Sequence, residues 1–379
     1  MFSLNSQRLT RTFVDLCQIN SASRHEQELA SHLCSCFQKL GASEIVEDDS
    51  APATGSNTGN LIVRFDGNDI DTDAVFFNCH LDVVSPCHNV RVKERDGLFT
   101  SSGNTVLGAD DKAGISIILE AIQVLQENNH SYCPFELVLT TCEEIGLLGA
   151  KAFKADMIKA ACGYSLDSTG TDNIVTGAPA SHTIDVDIHG RSAHAGLHPE
   201  NGINAIQLAG QALSQMPLGR LDPESTANIG MINGGQATNI IPDFVNMQGE
   251  IRSHSRELLD QHLAAYRRIF QGLLAQYPDN SGDGVPSVSF RHPEQYPLMN
   301  LAETLPVIQR VERSAGKLGR KVDKIRAGGG SDANFFNYHG IPTAILGVGM
   351  DHVHSTAEQI RLSDMLRTGE LICAILTTP

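Results

Sequence analysis

Apolar residues recur at helical spacing over residues 6–19 and 24–40, with Ser23 placed to cap the second helix and Gly41 just past its end. Short β-rich runs follow at 43–46 and 60–65, separated by a loop over 51–59 in which Ala, Gly, Ser and Thr predominate. The apolar run Ala74-Val-Phe-Phe77 then leads into Asn78-Cys-His-Leu-Asp82. A strand ending there projects His80 and Asp82 to one side, because side chains two apart share a face. Gly108-Ala-Asp-Asp-Lys-Ala-Gly114 precedes a strongly apolar helical pattern over 115–125, so the Asp110 pair sits at a loop-to-helix junction. A β-rich run at 135–141 meets Cys142-Glu-Glu-Ile-Gly-Leu-Leu-Gly149, a helical stretch continues to 161, and 163–168 forms a short strand ending on Asp167. Strands alternating with helices predict a sheet with parallel members, in which ligand sites gather at the carboxyl ends of the strands.

The pattern changes near Gly177. Residues 181–188 alternate as a half-exposed strand, 202–216 read as a helix, 227–232 and 241–251 as strands, 256–277 as a helix and 285–290 as a last strand. That order is the split βαβ arrangement of a small α+β sandwich. It makes 179–294 an inserted lid domain between two parts of a catalytic domain, 1–178 and 295–379. The first domain resumes with a helix over 301–318, a strand over 321–325, Gly328-Gly-Gly-Ser-Asp332 opening another helix, and a strand over 342–348. Met350-Asp-His-Val-His-Ser-Thr-Ala-Glu358 follows. The fold class is thus α/β, a mixed and largely parallel sheet, with an α+β insertion.

The chain has 379 residues, enough for two domains, since single cores rarely grow past about 250–300 residues. A formal charge of -16 excludes nucleic acid and anionic membrane as partners, because neutralising phosphates needs clustered Lys and Arg. The nine cysteines contain no C-x-x-C, so neither a disulfide framework nor a thiolate zinc site is expected, and a reducing cytoplasm is. The N-terminus lacks the apolar core of a secretion signal, and no run reaches membrane-spanning length.

The strand-end groups are His80, Asp110, Glu143, Glu144, Asp167 and His354. Two imidazoles and several carboxylates without a thiolate suit a pair of Zn²⁺ ions, with Mn²⁺ or Co²⁺ also admitted. Such a pair makes a nucleophile of a shared water by lowering its pKa toward neutrality. The water's proton needs a destination, and of the adjacent Glu143 and Glu144 one can face a metal while the other serves as general base. Spacing alone leaves open whether Asp110 or Asp111, and His352 or His354, is the ligand.

Together these motifs resemble the M20 clan of co-catalytic zinc peptidases, and especially peptidase T-like tripeptide aminopeptidases. The matching stretches are Cys79-His-Leu-Asp82, Gly108-Ala-Asp-Asp-Lys-Ala-Gly114, Glu143-Glu-Ile-Gly-Leu-Leu-Gly149, Asp167, Gly190-Arg-Ser-Ala-His-Ala-Gly196, and His354 with Glu358, which span nearly the whole chain in order. The resemblance implies a zinc-exopeptidase-like catalytic domain in which Asp110 bridges two metals, His80 and Asp167 complete one site, and Glu144 and His354 the other. It implies Glu143 as the base and Asp82 as the residue that orients His80. It makes the insertion a lid and dimerisation domain, with His194 reaching the partner subunit's active site to stabilise an oxyanion, and Asn239 and Arg252 as lid residues for substrate polar groups. Gly330 and Ser331, at a helix start, are expected to receive a substrate carboxylate through backbone N–H groups. Arg326-Ala-Gly-Gly-Gly-Ser-Asp332 is longer than the Arg-Gly-Gly-Thr-Asp of peptidase T, a departure confined to the substrate end.

The expected activity is therefore a metal-dependent exopeptidase, cytoplasmic and homodimeric, that cleaves short peptides with a dizinc-activated water. Two other readings remain: a deacylase of N-acylated amino acids on the same dizinc site, and a non-catalytic scaffold descended from the fold. A scaffold has no need of a base, and both acids of the Glu143 pair are present.

Overall fold

The computed structural model describes residues 2–68, 70, 72–277 and 286–378. The chain divides into two compact units, one of residues 1–178 and 299–379, the other Pro179–Leu298.

The first unit is built on a nine-stranded sheet in the order Glu44–Glu47, Leu61–Phe65, Phe135–Thr140, Val75–His80, Cys162–Ser165, Thr343–Leu346, Asn173–Ala178 and Met299–Asn300, with Asp323–Arg326 also paired to Asn173–Ala178. Its four middle strands run parallel to one another. The neighbours on either side, Leu61–Phe65 and Asn173–Ala178, are antiparallel to them. Every residue of Val75–His80 and Phe135–Thr140 is buried, as a strand covered on both faces requires. Successive side chains go to opposite faces: Val75, Phe77 and Cys79 join the main core with Phe13, Leu33, Ile118 and Ile372, whereas Phe76 packs with Val138, Phe153 and Phe336. Each such buried ring contributes about 1.5–3 kcal/mol. The Phe76 ring lies over Gly163, where any Cβ would collide with it.

The second unit is an antiparallel sheet in the order Gly219–Asp222, Ser225–Gly234, Phe244–Ser253, Ala180–His189 and Ser287–Arg291, with Glu294–Tyr296 also paired to Ala180–His189. Ile184, Val186 and Ile188 share a core with Leu208 of the helix Ala205–Leu213 and with Leu259, Leu263, Tyr266 and Phe270 of Arg256–Leu274. The alternate residues Thr183, Asp185 and Asp187 are only half-buried, so the helices cover one face. This is the split βαβ arrangement the pattern predicts, and Glu294–Tyr296 carries the unit past 294 because it adds to the same strand.

Several local expectations change. The second helix is Gln27–Lys39, and its N-cap residue is Glu26, not Ser23, whose hydroxyl donates to Asp82 Oδ2 at 2.6 Å. The helical stretch to 161 is only Leu148–Ala152 and a 3₁₀ turn, Ala155–Met157. The helix expected from 301 starts at Pro306, where a proline suits the first turn, and Met299–Asn300 joins the sheet instead. The expected strand at 285–290 is Ser287–Arg291, and Val285 lies outside the described residues. A further helix, Leu362–Leu376, not expected from the sequence pattern, packs against the helix Ala109–Glu127.

Candidate metal centre

The four parallel strands point their carboxyl ends one way, and each ends on, or is followed there by, a side chain of a kind that can ligate a metal. Val75–His80 ends on His80, Cys162–Ser165 is followed by Asp167, Phe135–Thr140 by Glu143 and Glu144, and Thr343–Leu346 by the loop bearing His354. Asp110 enters from the start of Ala109–Glu127, where Asp110 and Asp111 have non-helical φ/ψ. His80, Asp110 and Asp167 can offer three ligand atoms within 4.8 Å of one another, and so can Asp110, Glu144 and His354. Asp110 is common to both sets. Its Oδ1 lies 2.9 Å from His80 Nε2 and its Oδ2 3.4 Å from His354 Nε2, which is itself 2.8 Å from Glu144 Oε2. One carboxylate thus turns one oxygen to each imidazole, as a bridging ligand must. Glu143 forms a third such set with His80 and Glu144.

The two ambiguities of spacing separate in space. Asp111 is buried in the other direction, where its Oδ2 accepts the His80 backbone N–H at 3.3 Å. His352 is exposed beside Asp351 and belongs to none of the three sets.

The electrostatics call for cations. Burial pushes the carboxyls of Glu143 and Asp167 well above the usual carboxylate range, and neighbouring acids raise them further. Burial also acts to raise Asp110, but hydrogen bonds with His354 and His80 outweigh it and hold the group below that range. Hydrogen bonds to Asp110 and then Glu144 push His354 up to about 10. Glu144 Oε1 is buried without a hydrogen-bond partner, a cost of about 1–3 kcal/mol that a cation would remove. Two imidazoles with hard carboxylate oxygens fit divalent Zn²⁺.

The tautomer of His80 fits as well. Its Nδ1 lies 2.9 Å from the main-chain carbonyl of Asp82, which can only accept, so Nδ1 carries the proton and Nε2 is the nitrogen presented toward Asp110. Asp82 meets the ring with both its carbonyl and its carboxylate, Oδ1 standing 3.6 Å from Nδ1, and the carboxylate also accepts the backbone N–H groups of Glu143 at 2.9 Å and Glu144 at 3.2 Å. One residue thus lies against the ring of His80 and holds the turn that carries both acids.

Beside the ligands lies a cavity of about 370 Å³ lined by Asp110, Glu143, Asp167 and His354, an apolar wall including Val175, Ile345 and Met350, and the segment Gly328-Gly-Gly-Ser331. Gly330 and Ser331 thus line the cavity as expected, but Ser331 N–H already donates to Asn334 Oδ1 at 3.0 Å, because Asn334 folds back at the start of a six-residue helix.

His194, Asn239 and Arg252 belong to the second unit. His194 is exposed on the short strand Ala193–His194, paired to Ile240–Ile241, and the neighbouring Asn239 carbonyl accepts the N–H of Ala195 at 3.0 Å. The Nδ1 of His194 accepts N–H groups from Gly196 and Leu197, both at 3.1 Å, so its ring proton resides on Nε2. Arg252 Nη2 pairs with Glu250 at 2.9 Å.

Comparison with known proteins agrees with this architecture. The M20 peptidase dimerisation domain matches residues 176–278, and peptidase family M28 matches residues 60–208. Protein YqjE of Bacillus subtilis (strain 168), itself uncharacterized, is 38% identical over 98% of both chains. A tripeptidase from Staphylococcus aureus is 33% identical with a TM-score of 0.93, covering 99% of this chain and 98% of that one. The crystal structure of aminopeptidase PepT from Bacillus cereus is 38% identical with a TM-score of 0.90, over 99% of this chain and 98% of that one. The chain belongs to the M20 peptidases. Within them it is peptidase T-like.

In this M20 peptidase the turn that carries Glu143 and Glu144 is held by a residue the sequence did not single out. Glu26 is fully buried; its Oε1 accepts the N–H groups of Arg24 and Cys142 at 3.0 Å each, and its Oε2 accepts the Ser56 hydroxyl at 2.6 Å. Three successive N–H groups, those of Cys142, Glu143 and Glu144, are thus taken by Glu26 and Asp82. They hold Cys142 at φ 55°, a left-handed conformation costing about 1–2 kcal/mol for a residue with a Cβ. A second residue of this kind is Asp332, which accepts from Thr140 and Asn78, while Ser165 donates to Asn78 at 2.7 Å. This network links three of the ligand-bearing strands just below their ends. Only Asp332, inside the Gly328 motif, carried any signal in the sequence.

Proposed function

We propose that this peptidase T-like chain is a metal-dependent exopeptidase that hydrolyses the amide bond of short peptides. Two Zn²⁺ ions would be held by His80 and Asp167 on one side, Glu144 and His354 on the other, and Asp110 between. The observation that carries this reading is the pair of three-residue ligand sets with Asp110 in common. When bound, two such ions polarise a carbonyl and lower the pKa of a water toward neutrality. Glu143 acts as general base: it lines the cavity beside Asp110 and Asp167, and burial raises the proton affinity of its carboxyl. It takes the proton from the attacking water and returns it to the leaving amine. The matches to a tripeptidase at 33% identity and an aminopeptidase at 38% support a small peptide as substrate.

The proposal includes a homodimer formed through the second unit. It is supported by the dimerisation-domain match and by Met231 and Ile232, both more than half exposed on the strand Ser225–Gly234. His194 of the second copy would donate its Nε2 proton to the oxyanion, and Asn239 and Arg252 would meet polar groups of the substrate. Removing one such donor typically costs about 3 kcal/mol of barrier. His194→Ala should therefore lower kcat about 10²–10³-fold with KM little changed. An unaltered kcat in steady-state assays would withdraw His194 from the reaction. A cytoplasmic location accords with nine cysteines that are all free and with no described helix long and apolar enough to cross a membrane.

The direct test is peptide hydrolysis by the purified protein before and after chelation. Cleavage of di- and tripeptides should disappear with the metal and return when Zn²⁺ is restored. Hydrolysis that persists in metal-free protein refutes the proposal, and cleavage of acyl-amino acids in place of free-amine peptides reassigns the substrate.

A further inference from the structure

His354 is the least supported of the five candidate ligands. His80 and Asp167 stand at or just beyond the ends of buried strands, and Asp110 opens a long buried helix. The His354 side chain is 55% exposed, at φ 59°, on a loop beyond the last parallel strand. Within the loop, Ser355 donates its hydroxyl to the His352 carbonyl at 2.7 Å, and Glu358 donates its N–H to the Ser355 carbonyl at 3.1 Å. Neither bond ties the loop to the rest of the centre.

That tie comes from the side chain of Glu358. It is 2% exposed, and its Oε2 accepts the N–H groups of Leu107 at 2.7 Å and Gly108 at 2.8 Å, while Oε1 accepts that of Asp110 at 3.0 Å. These amides open the helix Ala109–Glu127, whose first N–H groups have no partner within the helix and favour an anion. Among the described residues, the only other hydrogen-bonded or ionic link between 352–358 and 107–111 is His354 to Asp110 itself.

We propose that Glu358 is the positioning residue that fixes His354 against Asp110 and so retains the cation shared by Asp110, Glu144 and His354. The inference rests on the two-cation reading of the centre. It assigns Glu358 no contact with substrate. Both carboxylate oxygens are occupied as acceptors, two N–H groups on one and one on the other. A carboxamide of the same shape must turn its NH₂ toward Leu107 and Gly108 or toward Asp110, opposing donor to donor in a buried place. Glu358→Gln therefore breaks the tie without removing volume. Asp110 also loses the acceptor of its N–H, but its side chain keeps His80 Nε2 at 2.9 Å, and His80 and Asp167 stand at strands that Glu358 does not touch, so the loss falls chiefly on the site that His354 completes.

The test is a competitive titration of metal-stripped protein with Zn²⁺ against a chromophoric chelator. Unmodified protein should bind two ions per chain. Glu358→Gln should hold one ion about 10–100-fold more weakly, the range for loss of an outer-shell partner, and the other with much the smaller change. His354→Ala is the reference and should show the same one-site loss by a direct route. Two ions held as tightly as before, or both weakened alike, overturns the proposal. Fewer than two ions on unmodified protein instead overturns the two-cation reading beneath it. A second measurement does not depend on the variant folding: in metal-stripped unmodified protein the amides of Leu107, Gly108 and Asp110 should exchange slowly with solvent. Rapid exchange there means that no carboxylate covers them, and the proposal falls.

Discussion

Glu143→Ala is expected to abolish measurable peptide turnover while the protein keeps about two metal ions per chain, the loss being on the order of 10²–10⁴-fold for removal of a positioned general base. The side chain is 9% exposed and lines the cavity with Asp110, Asp167 and His354. Its own N–H is held by Asp82, which sets the direction from which the carboxyl enters. It is absent from both ligand sets that contain Asp110, so metal retention should survive its removal. The competing outcome is specific, because Glu143 can also offer a ligand atom together with His80 and Glu144. If metal analysis of Glu143→Ala shows one ion lost along with activity, Glu143 is a ligand and the base must be sought elsewhere. A variant that retains turnover ends the assignment altogether.

Asp110→Ala is expected to have the largest effect of any single change, emptying both cation sites and reducing activity to that of the chelated protein. In the two sets that contain it, Asp110 is the shared member, with Oδ1 turned toward His80 and Oδ2 toward His354, and every other ligand serves only one. Without it His80 Nε2 loses its carboxylate partner and His354 keeps only Glu144, so no residue joins the two halves of the centre. Metal content after exhaustive dialysis, measured by atomic emission, reads this directly. Two ions retained by Asp110→Ala would exclude Asp110 as a bridge. Loss of a single ion would place Asp110 in one site alone. Asp111→Asn is the matched control for metal content, since Asp111 faces the His80 backbone and belongs to no ligand set.

The carboxylate supports around the centre form a pattern of their own. Asp82, Glu26 and Glu358 each accept main-chain N–H groups from a segment bearing a candidate ligand or the candidate base. Using acids for this purpose adds negative charge next to groups that are already negative. The arrangement is stable only with positive charge in the middle, which is a physical reason for the centre and its supports to be coupled.

Read along the chain, much of this was visible. His80, Asp167 and the Glu143 pair each follow an apolar run too short and too β-rich for a helix, and a parallel sheet sends the ends of such runs to one edge. Binary patterning also encoded the inserted unit, because Ile184, Val186 and Ile188 alternate with polar residues along one strand. Patterning could not separate Asp110 from Asp111 or His352 from His354, because adjacent or near-adjacent residues differ only in the direction the backbone gives them. That direction is set by non-helical dihedrals at Asp110 and Asp111 and by left-handed ones at both His352 and His354. Nor could it reveal the parts played by Asp82, Glu26 and Glu358, whose contacts join residues 61, 116 and 250 positions apart. Periodicity reports which face of an element meets the core. Which carboxylate meets which distant N–H is decided only when the loops between those elements close on one another.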